Sequence, residues 1–300
     1  MAKCEIMKAV EFDSLPVKFR KIYPTLASLR TAGWWAQAKY DGCFGKAIVR
    51  ADGDSRMESR TGEDYTASCG HILDELREAV ADEFEDGIRA VVVLGEVWHP
   101  AMDFPTISGK FRKAAPSNLC FVANDILPAG MTTETPYFSR YAALARLLGE
   151  GDFPLGFSTR LAETYHDFEW DDAKHLAQTF VSRGGYDGAI LRDPKAGYTI
   201  GPVKRGEIVK VKPVISLDLR VLDVVPGEGK HAGRIGALRV GLGALTTDVG
   251  TGLSDEERGR GADYWVGKIV EIEAMGFSTE HKLREPRFKG ERFDKTTADL

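Results

Sequence analysis

The chain has little of what marks several common protein classes. Its four cysteines, Cys4, Cys43, Cys69 and Cys120, stand far apart without paired spacing, which argues against a zinc ribbon or a disulfide framework. They are read as reduced thiols in a reducing compartment. No apolar run reaches membrane-spanning length, and the opening Met1-Ala2-Lys3-Cys4-Glu5-Ile6 has no signal-like apolar stretch. A soluble, cytoplasmic protein with no membrane partner is therefore expected. Positive charge is not in excess either. Forty Lys and Arg face 45 Asp and Glu, a formal net charge of −5, which excludes a polycation that coats nucleic acid by bulk attraction. Repeats and low-complexity tracts are absent, and none of the six histidines is assigned a chemical role.

What remains is globular: 43% hydrophobic and 28% charged residues over 300 positions suffice for one large domain or two ordinary ones. Residues 34–60 are read as an antiparallel pair. An apolar strand ends at Lys39, Asp41-Gly42 makes a tight turn, and Cys43–Arg50 returns. A helix is predicted over His71–Phe84 from Ile72, Leu73, Leu76, Val80 and Phe84. The very apolar 90–98 reads as a deep strand, and Asn118–Leu127 as another. Helices follow at 137–148 and 171–183, the second with Asp171 as its N-cap. Strands at 187–193 and 207–213 precede a change of texture near Pro213. Beyond it come short strands, Gly-rich loops and a capping-box helix at Ser254-x-x-Glu257, which suits a five-stranded OB-type barrel. The expected fold is α+β: an antiparallel-sheet, ATP-grasp-like nucleotidyltransferase domain at 1–213 and a small OB-fold β-barrel at 214–300. The second segment holds 13 Lys and Arg against 15 Asp and Glu, so neither half is basic overall.

Lys39 is the residue that asks for a chemical explanation. It closes an apolar stretch, Trp34-Trp35-Ala36-Gln37-Ala38, immediately before Tyr40-Asp41-Gly42. An unperturbed lysine has a pKa near 10.4, so making the amine half neutral at pH 7 costs about 4.6 kcal/mol. Partial burial, a nearby Mg²⁺ and neighbouring cations all push in that direction. Two such cations, Lys210 and Lys212, alternate with valines, which points both at one face of a strand. Side by side they repel unless an anion lies between them, as a triphosphate would. Glu96 lies inside an apolar run, where a carboxylate calls for a metal or a hydroxyl partner.

In order and spacing these residues resemble the ATP-dependent DNA ligases, within the covalent nucleotidyltransferase superfamily that also holds RNA ligases and mRNA capping enzymes. "KYDG" resembles the nucleophile motif, "SRTG" at 59–62 the next, and "LGEV" around Glu96 the third. "FVANDIL" falls where the adenine-stacking motif belongs, and "YDGAILRD" and "IVKVKP" are similar to the fourth and fifth motifs. "IGALRV" and "LREPRFKGERFDK" at 283–295 resemble the OB-domain strand and closing motif of DNA ligases. The overall size is similar to that of the small bacteriophage ligases.

The resemblance implies that Lys39 attacks the ATP α-phosphate to form lysyl-AMP, that AMP passes to a nick 5′-phosphate, and that the 3′-hydroxyl displaces it. It places Gln37, Ala38, Arg60, Glu96, Asn124, Lys210, Lys212, Arg292 and Lys295 on ATP, with Arg292 and Lys295 swinging over the β- and γ-phosphates. Mg²⁺, with Mn²⁺ as a substitute, would be held by Glu96 and Asp187. Nicked duplex DNA would meet Lys110, Arg112, Lys113, Arg192, Lys230, Arg234 and Arg287. A monomer in the cytoplasm of a bacterium or phage-infected cell is expected.

Four positions depart from the family pattern. Phe44 replaces an arginine, with Lys46 or Arg50 as stand-ins. Gln37 replaces a glutamate that reads the adenine amine, although its carbonyl still accepts. Asn124 replaces the stacking aromatic, leaving Phe121 as an alternative. Asp187 replaces a glutamate. An RNA ligase or capping-type enzyme and an inactive nick-binding module are the alternative readings. "IGALRV" and "LREPRF" speak against the first, and the retained phosphate-contacting set against the second.

Overall fold

A computed structural model describes residues 6–128, 133–149, 158–166, 173–202, 207–277 and 282–299. The chain divides into two compact units, Met1–Lys212 and Pro213–Leu300. Asp171, the expected helix cap, lies outside the described residues.

The first unit contains two five-stranded sheets. In one, the strand Trp35–Tyr40 pairs antiparallel with Tyr186–Arg192 and with Thr164–Tyr165. Tyr186–Arg192 pairs in turn with Ile208–Val211, whose outer edge takes Val10–Glu11 in parallel. In the other, Cys43–Arg50 lies between Arg56–Glu58 and Ala90–Trp98, and Cys120–Pro128 and Thr159–Leu161 complete the sheet. Alternation does the sorting: Ala47 and Val49 are buried, whereas Lys46, Ile48 and Arg50 on the opposite face are half-buried. One core draws Ala36, Ala38, Ala189 and Leu191 from the first sheet and Val93, Val97, Phe121 and Ile126 from the second. The helix Thr66–Ala79 adds Ile72, Leu73 and Leu76 to it, starting earlier than the apolar spacing predicted.

The expected hairpin across Asp41-Gly42 does not form. Its two strands belong to different sheets, and the dipeptide carries the chain from one to the other. Gly42 has no left-handed φ. A Cβ there would sit 2.5 Å from the Val97 carbonyl oxygen, so close approach of backbone, rather than a turn, requires glycine.

The second unit is one antiparallel sheet, in the order Leu245–Val249, Ile235–Leu242, Ile215–Pro226, Ile269–Ala274, Arg287–Glu291. Its core includes Leu219, Val240, Val270, Ile272 and Trp265. The Ser254–Glu257 capping box is present at the helix Asp255–Gly259. The five strands do not close into a barrel: among the described residues the two edge strands share no ladder. Only single bonds, such as Phe288 N–H to the Thr251 carbonyl at 2.9 Å, join one edge to the chain beyond the other. The curl is that of an OB-like domain, but closure by a full ladder is not made.

Candidate active site

Register across the first sheet sets three rows of residues. Trp35, Arg192 and Ile208 form one, and Gln37, Ile190 and Lys210 the next. Lys39 opposes Gly188 at the third, where Lys212 follows directly on Val211. Residues two apart on a strand share a face, so the expectation that Lys210 and Lys212 point the same way holds. A cavity of about 390 Å³ lies over this face. Gln37, Ala38, Lys39, Arg60, Glu96, Asn124, Lys210 and Lys212 all line it. The first-unit residues assigned to ATP thus come together.

A β-bulge builds the reactive end. Tyr186 pairs with Tyr40 and Gly188 with Lys39, which leaves Asp187 as the extra residue. Its carboxylate accepts from Lys39 Nζ at 2.6 Å and lies 3.1 Å from Lys212 Nζ. Burial favours the neutral acid, but the charges of Lys39 and Lys212 outweigh it and hold the Asp187 carboxyl below its usual range. Gly188 makes this crossing possible. It has φ +133°, and a Cβ would stand 2.2 Å from the Val211 carbonyl oxygen. Lys210 is paired with Glu11 at 3.4 Å.

Glu96 projects from the buried strand opposite Phe44. Burial pushes its carboxyl up to about 7 although Lys39 and Arg60 pull it down, and its Oε2 is a buried oxygen with no hydrogen-bond partner. An orphaned oxygen of this kind fits a divalent cation. Asp187, expected as a second ligand, is instead taken up by two ammonium groups. Among the described residues no cluster of three or more His, Cys, Asp or Glu surrounds one point. A divalent cation on Glu96 would therefore have to draw most of its other ligands from outside the described side chains, a pattern Mg²⁺ tolerates.

The opposite end of the cavity is held by a buried network. Asp125 accepts from Arg140 at 2.8 and 3.1 Å and from Arg192 at 3.0 Å. Arg192 also lies over the Tyr137 ring, 4.3 Å from its centroid, and donates to the Asn124 side chain at 3.3 Å. Arg192 was expected on DNA. It is 7% exposed and belongs to the cavity wall, a correction whose cause is the buried Asp125 carboxylate. Phe121 cannot stack on a nucleobase either, because it is wholly buried in the core against Gly45 and Gly95.

Phe44 faces the cavity, with the Arg60 guanidinium 5.8 Å above its ring. The stand-ins suggested for the missing arginine are engaged elsewhere: Lys46 with Glu58 at 3.2 Å and Arg50 with Asp52 at 2.7 Å. Arg112, Lys113, Lys230, Arg234 and Arg287 are exposed and Lys110 is half-buried. In the second unit, Arg292 donates to both oxygens of buried Asp218 at 2.7 and 2.9 Å, and Lys295 pairs with the same carboxylate. Sequence reasoning missed the wall formed by Ile6, Met7, Lys8 and Ala9, for which no motif gave a signal, and the Asp125–Arg140–Tyr137 support.

The chain belongs to the ATP-dependent DNA ligase family. The model of the ATP dependent DNA ligase domain matches residues 13–212, and that of the DNA ligase OB-like domain residues 226–292. A DNA ligase of Natronomonas pharaonis is 27% identical over 302 aligned residues, 88% of this chain and 52% of that protein. One of Haloferax volcanii is 27% identical over 336, covering 93% and 55%. The chain thus spans about half the length of these curated relatives. Among solved structures, one from a structure–function analysis of Lig E DNA ligases has a TM-score of 0.65 at 20% identity, covering 96% of this chain and 98% of that one. The ATP complex of the bacteriophage T7 ATP-dependent DNA ligase has 0.56 at 19%, covering 97% and 99%. At these identities the likeness is one of fold. No helix among the described residues is long and apolar enough to cross a membrane.

Proposed function

We propose that this chain is an ATP-dependent ligase that seals 5′-phosphate/3′-hydroxyl nicks in duplex DNA through an AMP adduct on Lys39. The observation that carries this reading is the convergence of Lys39, Lys212, Lys210, Arg60 and Glu96 on one cavity large enough for a nucleotide. Asp187 and Glu11 offset part of the charge gathered by Lys39, Lys210, Lys212 and Arg60, and a polyphosphate supplies the rest. In the first step Lys39 Nζ bonds to the α-phosphorus, the bond from that phosphorus to the bridging oxygen breaks, and pyrophosphate leaves. Asp187 aims the amine by accepting one of its N–H bonds. That bond must loosen as the amine gives up a proton to water and becomes a nucleophile.

Mg²⁺ on Glu96, with Mn²⁺ as a substitute, would supply charge neutralisation to the phosphates when bound. Lys210 and Lys212 hold phosphate oxygens, and Arg60 and Glu96 form the cavity wall beside Phe44. Arg292 and Lys295 act on the leaving pyrophosphate, after release from Asp218. Exposed Arg112, Lys113, Lys230, Arg234 and Arg287, with Lys110, contact the nicked duplex, and the protein acts as a monomer.

The test is incubation with α-labelled ATP, then with nicked duplexes of DNA or RNA. Lys39→Ala should take up no label while keeping its thermal melt. A labelled Lys39→Ala protein would overturn the assignment, and sealing confined to RNA would overturn the substrate.

A further inference from the structure

We infer that Tyr137 and Thr164 set the nucleobase preference of the cavity by fixing which end of the Gln37 side-chain amide faces it. The inference rests on reading the cavity as an ATP site. Gln37 is 2% exposed and lines the cavity. Its amide nitrogen donates to the Tyr137 hydroxyl at 2.9 Å and to the Thr164 hydroxyl at 2.8 Å. Both amide protons are thereby used.

The two hydroxyls have no freedom to accept any other arrangement. Tyr137 donates its only proton to the Asn124 carbonyl at 3.0 Å, and Thr164 donates its own to the Ala162 carbonyl at 2.8 Å. Each oxygen can then only accept from Gln37. Turning the amide over would set its carbonyl against two oxygens with no proton to offer, and the amide and both hydroxyls would lose partners. Burial holds the Tyr137 phenol well above its ordinary pKa, so it stays a proton donor to Asn124. The Gln37 carbonyl oxygen, which accepts no bond from the described residues, is the end left for a ligand.

A 6-aminopurine donates to that oxygen, whereas a 6-oxopurine presents a second acceptor and leaves both unpaired. Tyr137 and Thr164 are positioning residues, since neither needs to touch the base. A glutamate at position 37 presents an oxygen to the cavity whichever way it turns, because its two ends are alike, so its base preference does not depend on their orienting it. That difference separates orientation from simple structural support.

The experiment measures self-labelling from α-labelled ATP and α-labelled GTP, as rate over KM for each. The wild-type chain should prefer ATP. Tyr137→Phe combined with Thr164→Val frees the amide to turn, and the ATP:GTP preference should fall by about tenfold or more. In a Gln37→Glu background the same pair of substitutions should leave the ratio unmoved. An unchanged ratio in the first pair overturns the inference, as does an equal fall in the Gln37→Glu background. If the double variant melts early, Thr164→Val alone carries the test, with a fall of about threefold expected and an unmoved ratio overturning it. A wild-type chain that takes no label from either nucleotide overturns the reading of the cavity, a distinct outcome that removes the inference with it.

Discussion

Glu96 ties the stability of the first unit to pH in a direction opposite to that of most carboxylates. Burial raises its carboxyl from an ordinary 4.5 to about 7, against the pull of Lys39 and Arg60. The folded state therefore binds the proton more tightly than the unfolded chain does. Stability from this group is full below about pH 4.5 and is lost as pH rises through about 7. A gap of roughly 2.5 units corresponds to at most about 3.4 kcal/mol, at 1.36 per unit. For a unit of this size that is about 7–14 °C in melting temperature. Glu96→Gln keeps the shape and removes the titration, so its melting temperature should exceed that of the wild type at pH 8 and match it near pH 5. Mg²⁺ with a non-hydrolysable ATP analogue should narrow the gap at pH 8, because a cation on the orphaned oxygen offsets the cost of ionisation. The assay is thermal unfolding from pH 4.5 to 8 for both proteins, with and without that pair of ligands. A wild-type and a Glu96→Gln protein that track each other across this range would refute the account of a buried, unpaired carboxylate.

The remaining expectations concern charges elsewhere in the two units. Asp125→Asn leaves Arg140 and Arg192 buried beside each other, and denaturant unfolding should show a loss of about 3–5 kcal/mol; a loss below about 1 would mean the network relaxes or admits water. Asp218→Asn removes the buried carboxylate that Arg292 and Lys295 share and leaves them the exposed carboxylates of Asp294 and Asp299, so self-labelling from ATP should quicken several-fold while sealing of a nick that already carries AMP stays level. Slower labelling with an unchanged melt would show that Asp218 aims these cations rather than restraining them. Phe44→Arg puts a guanidinium on the cavity wall, not in the core, so the melt should hold and sealing of nicked duplex should gain about tenfold. Unchanged or slower sealing by a stable protein would refute that reading.

Much of this site was legible because its cues are local. The Val-Lys-Val-Lys alternation placed Lys210 and Lys212 on one face, and the apolar flanks marked 90–98 as a buried strand with Glu96 inside it. What was not legible depends on partners distant in the chain. Arg192 reads as a surface cation until Asp125, 67 residues away, is seen to hold it inside. Asp187 reads as a shortened metal ligand until the bulge turns it onto Lys39. Asp-Gly carries the same local signal in a hairpin as in a crossing between sheets; only the Val97 carbonyl above Gly42 distinguishes them. An open five-stranded curl and a closed barrel share the same strands, and differ only in edge pairing that no local pattern encodes.

That crossing also makes Lys39 a mechanical gauge. The Asp41 N–H is fastened to the Gly185 carbonyl at 3.1 Å, while Gly42 lies close against Val97 of the other sheet. The two sheets cannot shear past one another without dragging the intervening peptide and the amine two residues before it. The rate at which an amine-directed reagent modifies Lys39 should consequently report how far the sheets have slipped, so that a substitution remote from the cavity but loosening the shared core would register there before the protein melts.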